Sequence, residues 1–399
     1  MSYATLEERY DGFYVPAFRI RFGGNTGGAN DYNFPNDGPQ VRESNGLVSG
    51  LSIESTLDGA DRFSCSLVGV YDLESASFDE TVWNRFAPKT AVRIEVGYGS
   101  TLVPVLEGRV QSLRQEFPGS GLPTIEVSGF DRLHDLTQSR EPPGDNWEDK
   151  TLAQVVDDVL TEGNYGFAPE RRNIVDLGLS SPFEEIIKRD EHSDFQFLDQ
   201  WAKRFNYELF VHTVPTTESS PDMDVTAEGN YETWFNFRPP EDDAKPALTL
   251  TYGESLRSFS VEINDASQEP GVTVRHQDSS GRRQEPIVGN SADSARGQQT
   301  TAGATTRQIP IPVESSEQAD LVAKAAFERT QQTRVTGRGE LIGLPTLRVG
   351  HVVTLERLSG QVNANYYVTS VTHRVDGSGY VTSIGVRLAD GETIELGAT

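Results

Sequence analysis

The stretch SDFQFLDQWAKRFNYELFV (residues 193–211) changes from the rhythm of a helix to the rhythm of a strand without a linker. Ser193 and Gln196 have the three-residue spacing of a capping box, which predicts the start of a helix. The apolar residues that follow recur at helical spacing, and after Asn206 the period of the pattern becomes that of a strand. We therefore predict an aromatic helix joined directly to a strand, with the indole of Trp201 buried in the apolar stripe.

A second helix is predicted upstream. TLAQVVDDVLTEGN (residues 151–164) has its own capping box in Thr151 and Gln154, followed by an apolar stripe that ends at a glycine. A charged, Pro-rich connector precedes it near residue 140. Residues 147–213 therefore indicate a small α/β module, and the acidic, Pro-rich residues 214–246 indicate a loop.

Both ends of the chain are predicted to be rich in strands. Short alternating runs separated by turn residues occur in residues 13–22 and, after a polar Gly/Asn/Asp loop at 23–46, in residues 47–133, and strands resume at residue 247; this is the pattern of an antiparallel barrel or sandwich. Residues 275–306 contain almost no apolar side chains and indicate a long exposed loop or a disordered insert. Residues 316–333 predict a helix between the later strands.

One internal repeat is visible, between VQSLRQEFPGSGL (residues 110–122) and VTSVTHRVDGSGY (residues 368–380). Each segment reads as a strand, a Gly-Ser-Gly turn and the start of a second strand. The alignment has no gap, but the apolar alternation slips by one residue after the turn, at Ile125 against Ile384. Two hairpins can resemble each other by chance. If the similarity instead reflects duplication, the chain holds two related β-barrels, one at each end.

The composition is acidic and poor in lysine. The 399 residues carry a formal charge of −25, and only six of the 35 basic residues are lysines. This is typical of proteins that work in molar salt, where the Debye length is only ~3 Å and self-repulsion is screened. We expect a halophilic setting, such as a virus of a salt-loving archaeon; an acidic mesophilic protein is the alternative. A chain this acidic is not expected to bind nucleic acid non-specifically.

The sequence carries no visible membrane or export signal. No apolar run approaches the ~20 residues of a membrane-spanning helix. The N-terminal segment MSYATLEERYDGFY lacks the basic start and the apolar core of a signal peptide. We therefore expect no membrane insertion, no signal peptide, and assembly in the host cytoplasm.

Motifs of common enzymes and metal sites are also missing from the sequence. The six histidines show no metal-ligand spacing, and the single cysteine, Cys65, lies on the apolar face of a predicted strand and is interpreted as a core residue. GRGELIG (residues 337–343) is followed by a strand rather than a helix, unlike a phosphate-binding loop. DMDVTAEGNYET (residues 222–233) lacks the glycine and the glutamate of a calcium loop. We predict no catalytic residues, no metal and no cofactor.

Several segments resemble, in their order, the hub proteins of phage tails and contractile injection systems. That group comprises the late control protein D family, the N-terminal part of VgrG spike proteins and the baseplate hubs of myoviruses. The C-terminal run GRGELIGLPTLRVGHVVTLERLSG and the strands after it resemble the last domain of the family. The resemblance covers about residues 13–213 and 247–390. Before the opening stretch, the segments that carry it are LEGRVQSL (106–113), VSGFDRLHDL (127–136) and WEDKTLAQVVDDVL (147–160).

The resemblance implies an α+β, mainly β fold with two tail-tube-like antiparallel β-barrels and a small α/β domain inserted between them. The implied role is a structural, non-enzymatic baseplate hub. In such a hub three chains present six barrels, so that a six-fold tail tube meets a three-fold spike. The expected domains are 1–140 (first barrel), 141–246 (α/β domain with its acidic loop) and 247–399 (second barrel, with an exposed loop at 275–312 and a helix at 316–333).

The resemblance also implies partners. They are two further copies of this chain, the tail tube protein, baseplate wedge proteins and a central spike, with a tape-measure protein as a further candidate. Because the chain ends soon after the second predicted barrel, we expect the spike to be a separate polypeptide. The particle would be a virion tail or an extracellular injection particle, in which DNA or cargo is met only in transit through the lumen. We expect no continuous belt of arginines along that lumen.

Two other classes of function are compatible with the composition. The first is a secreted halophilic hydrolase, which an activity screen of the purified chain would test. The second is a cell-surface binding module, which is disfavoured because no export signal is visible and because the repeat flanks an insert instead of running in tandem.

The composition generates a first testable prediction. Raising KCl from about 0.1 M to about 1 M shortens the Debye length from ~10 Å to ~3 Å and screens the acidic surface, so the midpoint temperature of unfolding should rise. Circular dichroism melts across this range measure it. A midpoint that stays constant or falls with salt would favour the mesophilic alternative.

Overall fold

In a computed structural model of the chain, the backbone is described over most of its length. The described residues are 3–35, 37–42, 45–138, 146–189, 191–215, 231–264, 271–274, 276–277, 283–284, 287–289, 307–309, 313–360, 362–390 and 392.

Strands are the main elements of the structure, and six α-helices accompany them in the described residues. The helices are α1 (Tyr3–Arg9), α2 (Glu80–Arg85), α3 (Asp135–Gln138), α4 (Leu152–Glu162), α5 (Asp194–Phe205) and α6 (Ser316–Gln332). The strands of the first third are β1 (Pro16–Phe22), β2 (Gln40–Arg42), β3 (Val48–Thr56), β4 (Arg62–Leu67), β5 (Tyr71–Asp72), β6 (Ser77–Phe78), β7 (Ala91–Tyr98), β8 (Thr101–Glu116) and β9 (Thr124–Asp131). Those of the middle are β10 (Asn146–Lys150), β11 (Arg172–Ile174), β12 (Phe183–Ile187), β13 (Glu208–Pro215) and β14 (Tyr231–Arg238). Those of the last part are β15 (Leu248–Thr251), β16 (Leu256–Ile263), β17 (Gly271–Val274), β18 (His276–Gln277), β19 (Arg283–Gln284), β20 (Ile287–Gly289), β21 (Arg307–Ile309), β22 (Val335–Ile342), β23 (Val352–Glu356), β24 (Asn365–Asp376) and β25 (Gly379–Leu388).

Thirteen of the described strands form one large sheet, which combines strands of the first third with strands of the last part of the chain. One half has the order β3-β4-β9-β8-β7-β1, with β2 at its edge, and the other has the order β16-β22-β25-β24-β23-β15. If the six strands of each half, without the edge strand β2, are numbered 1 to 6 along the sequence, both halves have the order 2-3-6-5-4-1 across the sheet. We call these halves the first and the second repeat.

The two repeats also share their register and their irregularities. The β8–β9 ladder shifts register between Val110 and Ser112, and the β24–β25 ladder shifts between Val368 and Ser370, at the positions that the sequence repeat aligns. The β3–β4 and β16–β22 ladders are likewise both interrupted next to their first pair. Since bulges are specific features of a ladder, two matching bulges make chance similarity of isolated hairpins a poor explanation.

The hairpins themselves explain the slip in the sequence alignment. Leu113 pairs with Val127 in the first repeat, whereas the aligned residue Val371 pairs with Ile384 in the second. The second hairpin is therefore one residue shorter at its turn, and the gapless alignment is wrong beyond that point. The repeats differ in one further respect: β1 runs antiparallel to β7, whereas β15 runs parallel to β23.

A seam of seven residue pairs joins the repeats, because β24 pairs antiparallel with β3 from Ser370–Thr56 to Asp376–Gly50. The residues on the inner side of this seam, such as Val371 and Leu51, are buried in a core that includes strands of both repeats. The predicted α+β, mainly β class is confirmed. The closure of each repeat into a barrel, and the domain boundaries, stay predictions.

The predicted passage from helix to strand is confirmed in detail. Ser193 and Gln196 form the capping box of α5, and those of α4 are Thr151 and Gln154. Asn206 adopts the left-handed conformation (φ 56°), which lets the helix end and β13 begin two residues later.

The predicted burial of Trp201 is wrong. It lies at the margin of the second hydrophobic core and is only half-buried, between Phe183 (ring centroids 5.3 Å apart) and Phe205 (6.0 Å). The deeply buried aromatic of α5 is Phe197, which is 2% exposed and stacks on Trp147. The helical stripe was correctly placed, but its centre lies one turn earlier than predicted.

The segment 214–246 was predicted to be a loop, and this is wrong for its second half. β14 pairs with all of β13 and inserts Phe235 and Phe237 into the second core. The segment 216–230, which includes most of the calcium-loop-like sequence, lies outside the described residues. Of the predicted loop 275–312, the described residues form short strands, two of which (β20 and β21) pair with β17 just before the loop, and the rest lies outside the description.

Helix α6 is confirmed at 316–332, and it packs on the α/β core through Val322 and Phe327. That core is formed mainly by α4, α5, β13, β14 and α6.

The burial of the α5 side chains generates a second prediction. Phe197→Ala should lower the free energy of unfolding by about 3–5 kcal/mol, the usual range for deleting a buried aromatic. Trp201→Ala should cost less, since part of its ring remains in contact with solvent. Urea unfolding of both variants measures the difference, and an equal or larger loss for Trp201→Ala would contradict the placement of the core.

Candidate assembly surface

The large sheet presents a polar face on the side opposite its core. In β3, Leu51 and Ile53 point into the core, whereas Ser52 and Glu54 point to the other side. The same side continues over eight neighbouring strands, from β16 through β22, β25, β24, β3, β4 and β9 to β8. We call it the outer face.

Small hydroxyl side chains run across the strands of the outer face. Ser52 pairs with Ser64, Ser64 with Ser128, and Ser128 with Ser112, so that four serines form one row over β3, β4, β9 and β8. The hydroxyl oxygens of Ser112 and Ser128 are 2.8 Å apart. Short, uncharged side chains in a row leave a flat surface that offers little for a charged polymer to bind.

Two arginines of the outer face lie close to carboxylates of the same chain. The guanidinium of Arg114 lies 3.4 Å from the carboxylate of Glu116 and 3.7 Å from that of Glu126. Arg374 donates from Nε to Asp376 over 2.9 Å. Pairs this exposed contribute little to stability, but they place a carboxylate beside each of these two arginines.

Two edges of the outer face have no strand partner among the described residues. One is β16, the first strand of the sheet, which pairs only with β22. The other is the end of β8 (residues 112–116), which has β9 on one side and extends beyond the last residue paired with β7. Unpaired edges carry rows of unused backbone donors and acceptors, which makes them sites for strand addition.

The α/β core is fixed to the sheet by β13, which lies between the two cores. Leu209 and Val211 belong to the α/β core, whereas Phe210 belongs to the core of the sheet. The aromatic helix of the opening stretch thus leads into a strand with both faces packed, which accounts for the absence of a linker between them.

Buried polar contacts reinforce this attachment to both repeats. Glu208 accepts a hydrogen bond from the Tyr367 hydroxyl of β24 (2.8 Å) and lies 3.4 Å from Arg238 of β14. Burial raises the pKa of Glu208 to about 7 despite its cationic neighbour. On the side of the first repeat, the Thr233 hydroxyl of β14 donates to Glu107 of β8.

Three of the six histidines lie near one arginine where the repeats meet. Burial lowers the pKa of His212 and His373 to about 3 and that of His351 to about 4, and the charge of Arg348 adds to each effect. Arg348 itself donates to the carbonyl of Pro104 in the first repeat (2.6 Å). Burial and the nearby cation therefore both favour the neutral form of these three histidines.

The structure also shows where the other residues and motifs singled out in the sequence lie. Cys65 is buried in the core beside Phe63, as predicted for a core residue. GRGELIG lies within and just after β22, so it is not a phosphate loop. Within the described residues, no group of three potential metal ligands comes together. Across that same part of the chain, the helices are too short or too polar to cross a membrane.

Sequence reasoning missed the cluster around Arg348, because its members come from three distant segments.

The sequence profile of the phage tail baseplate hub (GPD) family matches residues 90–379. The chain belongs to this family. The hub is therefore a structural component of a phage-type tail baseplate, and the resemblance found in the sequence is confirmed.

Solved structures share the fold of the hub over most of their length. A 43 kDa tail protein of prophage MuSo2 from Shewanella oneidensis is 16% identical, with 93% of this chain and 97% of that chain covered and a TM-score of 0.60. A tail protein from Neisseria meningitidis is 12% identical, with 95% and 98% covered and a TM-score of 0.62. An Escherichia coli component of the type VI secretion system is 11% identical, with 86% and 74% covered and a TM-score of 0.54. No curated protein sequence matches the hub.

The histidine cluster generates a third prediction. His373 is 2% exposed, with Nδ1 2.9 Å from the Tyr380 hydroxyl, and its pKa in the folded hub is far below the value near 6.5 in the unfolded chain. As the pH falls below 6.5, His373 is protonated in the unfolded chain but not in the folded hub. The free energy of unfolding should therefore fall by about 2 kcal/mol between pH 7 and pH 5 because of this residue.

The variant His373→Gln carries the residue that stands at the equivalent position 115 of the first repeat. Its loss of stability between pH 7 and pH 5 should be smaller than that of the wild type by about 2 kcal/mol. Urea unfolding at both pH values gives the difference. Parallel pH profiles for the two proteins would show that His373 is not held neutral.

Proposed function

We propose that the hub works as a homotrimeric adaptor between a six-fold tail tube and a three-fold central spike. The observation that carries the proposal is the internal repeat, with its equal strand order, equal register and matching bulges. A chain with two equivalent units supplies six units when three copies surround an axis. The ring then offers six similar contacts on one side while the chains themselves keep three-fold symmetry.

The proposed partners follow from this placement. The tail tube protein contacts the six-unit side, a separate spike protein contacts the three-fold side, and wedge proteins contact the periphery. A tape-measure protein is proposed to end inside the ring. The type VI secretion component with the same fold supports an injection particle as well as a virion tail as the setting. Assembly is proposed to take place in the host cytoplasm.

We propose that the outer face of the sheet lines the central passage. A DNA duplex carries one negative charge per ~1.7 Å, and a wall of unpaired arginines would retain it. The serine row and the paired charges of the outer face instead suit a wall along which DNA or cargo slides. This agrees with the expectation of no continuous arginine belt.

The family assignment favours a structural role over catalysis, and we propose that the hub acts through surfaces alone. The hydrolase and the cell-surface module lose their support, because they rested on the composition and not on any site. The halophilic setting remains a proposal that rests on the charge and the lysine content.

The test of the adaptor is the number of hub copies in a particle. Native mass spectrometry of baseplate cores, released from purified particles with their spike attached, should give three hub chains for each three-fold spike. Six hub chains per spike would mean that each chain supplies one unit of the ring, and the adaptor proposal would fail.

A further inference from the structure

The seam inside the chain predicts a second seam between chains. At the internal seam, β24 of the second repeat pairs with β3 of the first. The counterpart of β24 in the first repeat is β8, and the counterpart of β3 in the second repeat is β16. These counterparts carry the two edges that lack a strand partner among the described residues.

The side chains of the two edges match those of the internal seam. Val371 and Val375 of β24 are buried against β3. Their counterparts in the first repeat are Leu113, which is half-buried, and Phe117, which is 61% exposed. Leu113 packs in part on the core of the sheet, and the ring of Phe117 lies 5.8 Å from that of Tyr71 and 5.7 Å from that of Phe78. Most of the Phe117 side chain nevertheless stays exposed, and exposed apolar residues at a sheet edge promote association.

The facing edge is apolar at the complementary positions. Phe259, Val261 and Ile263 of β16 are only partly buried, and they alternate with the exposed residues Ser260 and Glu262. Their counterparts in β3, which include Leu51 and Ile53, are buried at the internal seam.

We propose that β8 of one hub chain pairs antiparallel with β16 of the next, and that a second copy of this chain thereby extends the large sheet. The register is obtained by replacing each residue pair of the internal seam with its counterparts in the other repeats. On the core side Leu113 faces Ile263, Phe117 faces Phe259, and between them the polar Gln115 faces Val261. On the outer face, Arg114 faces Glu262.

This register is favourable by charge as well as by shape. The guanidinium of Arg114 is 72% exposed in the single chain, where it lies near two carboxylates of its own repeat. Placing Glu262 opposite it adds a cross-strand pair of opposite charges. A register displaced by one residue would turn the apolar side chains of one edge to the outer face, which excludes odd displacements. A displacement by two residues would lose the opposition of Arg114 and Glu262.

The contact is head-to-tail, so it closes into a ring or continues as a filament. The closed ring depends on the proposed trimer. In it, three contacts between chains alternate with three internal seams, and together they complete a ring of six units. The partner that completes the surface is therefore the same chain, and the outer face becomes continuous across the boundary.

Disulfide trapping in assembled particles tests the pairing. Glu116 and Ser260 face each other in the proposed register, and opposed residues of antiparallel strands have Cα atoms ~4.5–5.5 Å apart, within the range that a disulfide spans. The double variant Glu116→Cys/Ser260→Cys should form disulfides between chains and give covalent dimers and trimers on non-reducing gels. The native Cys65 is buried with its pKa raised to about 12, so it should not compete.

Two matched variants serve as controls. Ser52→Cys/Arg374→Cys places the same pair at the internal seam, where these residues are opposed, and should form a disulfide within one chain. Glu116→Cys/Glu262→Cys is displaced by two residues from the proposed register and should give at most a small fraction of the cross-link, at least tenfold less.

The outcomes separate this inference from the proposed function. Three hub chains per particle without the 116–260 cross-link, while the internal control forms its disulfide, would overturn the pairing and leave the adaptor in place. A stronger cross-link in the displaced variant would also overturn the register. A particle without three hub chains would overturn both.

Discussion

The pairing of β24 with β3 is the interaction on which the rest of the structure depends. It joins residues more than 300 positions apart, between Gly50–Thr56 and Ser370–Asp376, and it turns two similar sheets into one. The two repeats are thereby fixed relative to each other by backbone hydrogen bonds and by a shared apolar core, not by a linker. Two repeats joined in this way keep a constant angle to each other, which a ring requires. Two repeats joined only by a flexible linker would not.

The α/β region adds a second constraint on the same body. β13 is packed on both faces, and the contacts of Glu208 with Tyr367 and of Thr233 with Glu107 attach the region to the second and to the first repeat. Burial of Glu208 and of the histidines near Arg348 has an electrostatic cost, which is tolerable where the surrounding structure is closely packed. These buried polar contacts lie where the repeats meet, so they are placed to set the relative position of the two units.

Much of this could be predicted where the information is local. The caps of α4 and α5, the turn at Asn206 and the repeated hairpin are all written in short segments, and the ordered series of segments identified the family. The seam could not be predicted, because strand pairing over such a separation leaves no local pattern. β14 was missed because its aromatic run follows an acidic, Pro-rich segment, and the depth of Trp201 was overestimated because helical period gives the buried side of a helix but not where its core is centred.

Among the described residues, the edges of β8 and β16 that lack a strand partner correspond to the two strands of the seam, because two repeats with the same strand order have the same two edges and the internal seam uses only one of each kind. In the proposed ring the two repeats are equivalent units, and a cryo-EM reconstruction of the assembled particle, computed without imposed symmetry, tests this. We expect six sheet units at intervals of about 60° around the tail axis, alternating between first and second repeats of three chains. A map in which the two repeats lie at different heights along the axis, or in which six chains each contribute one unit, would contradict it.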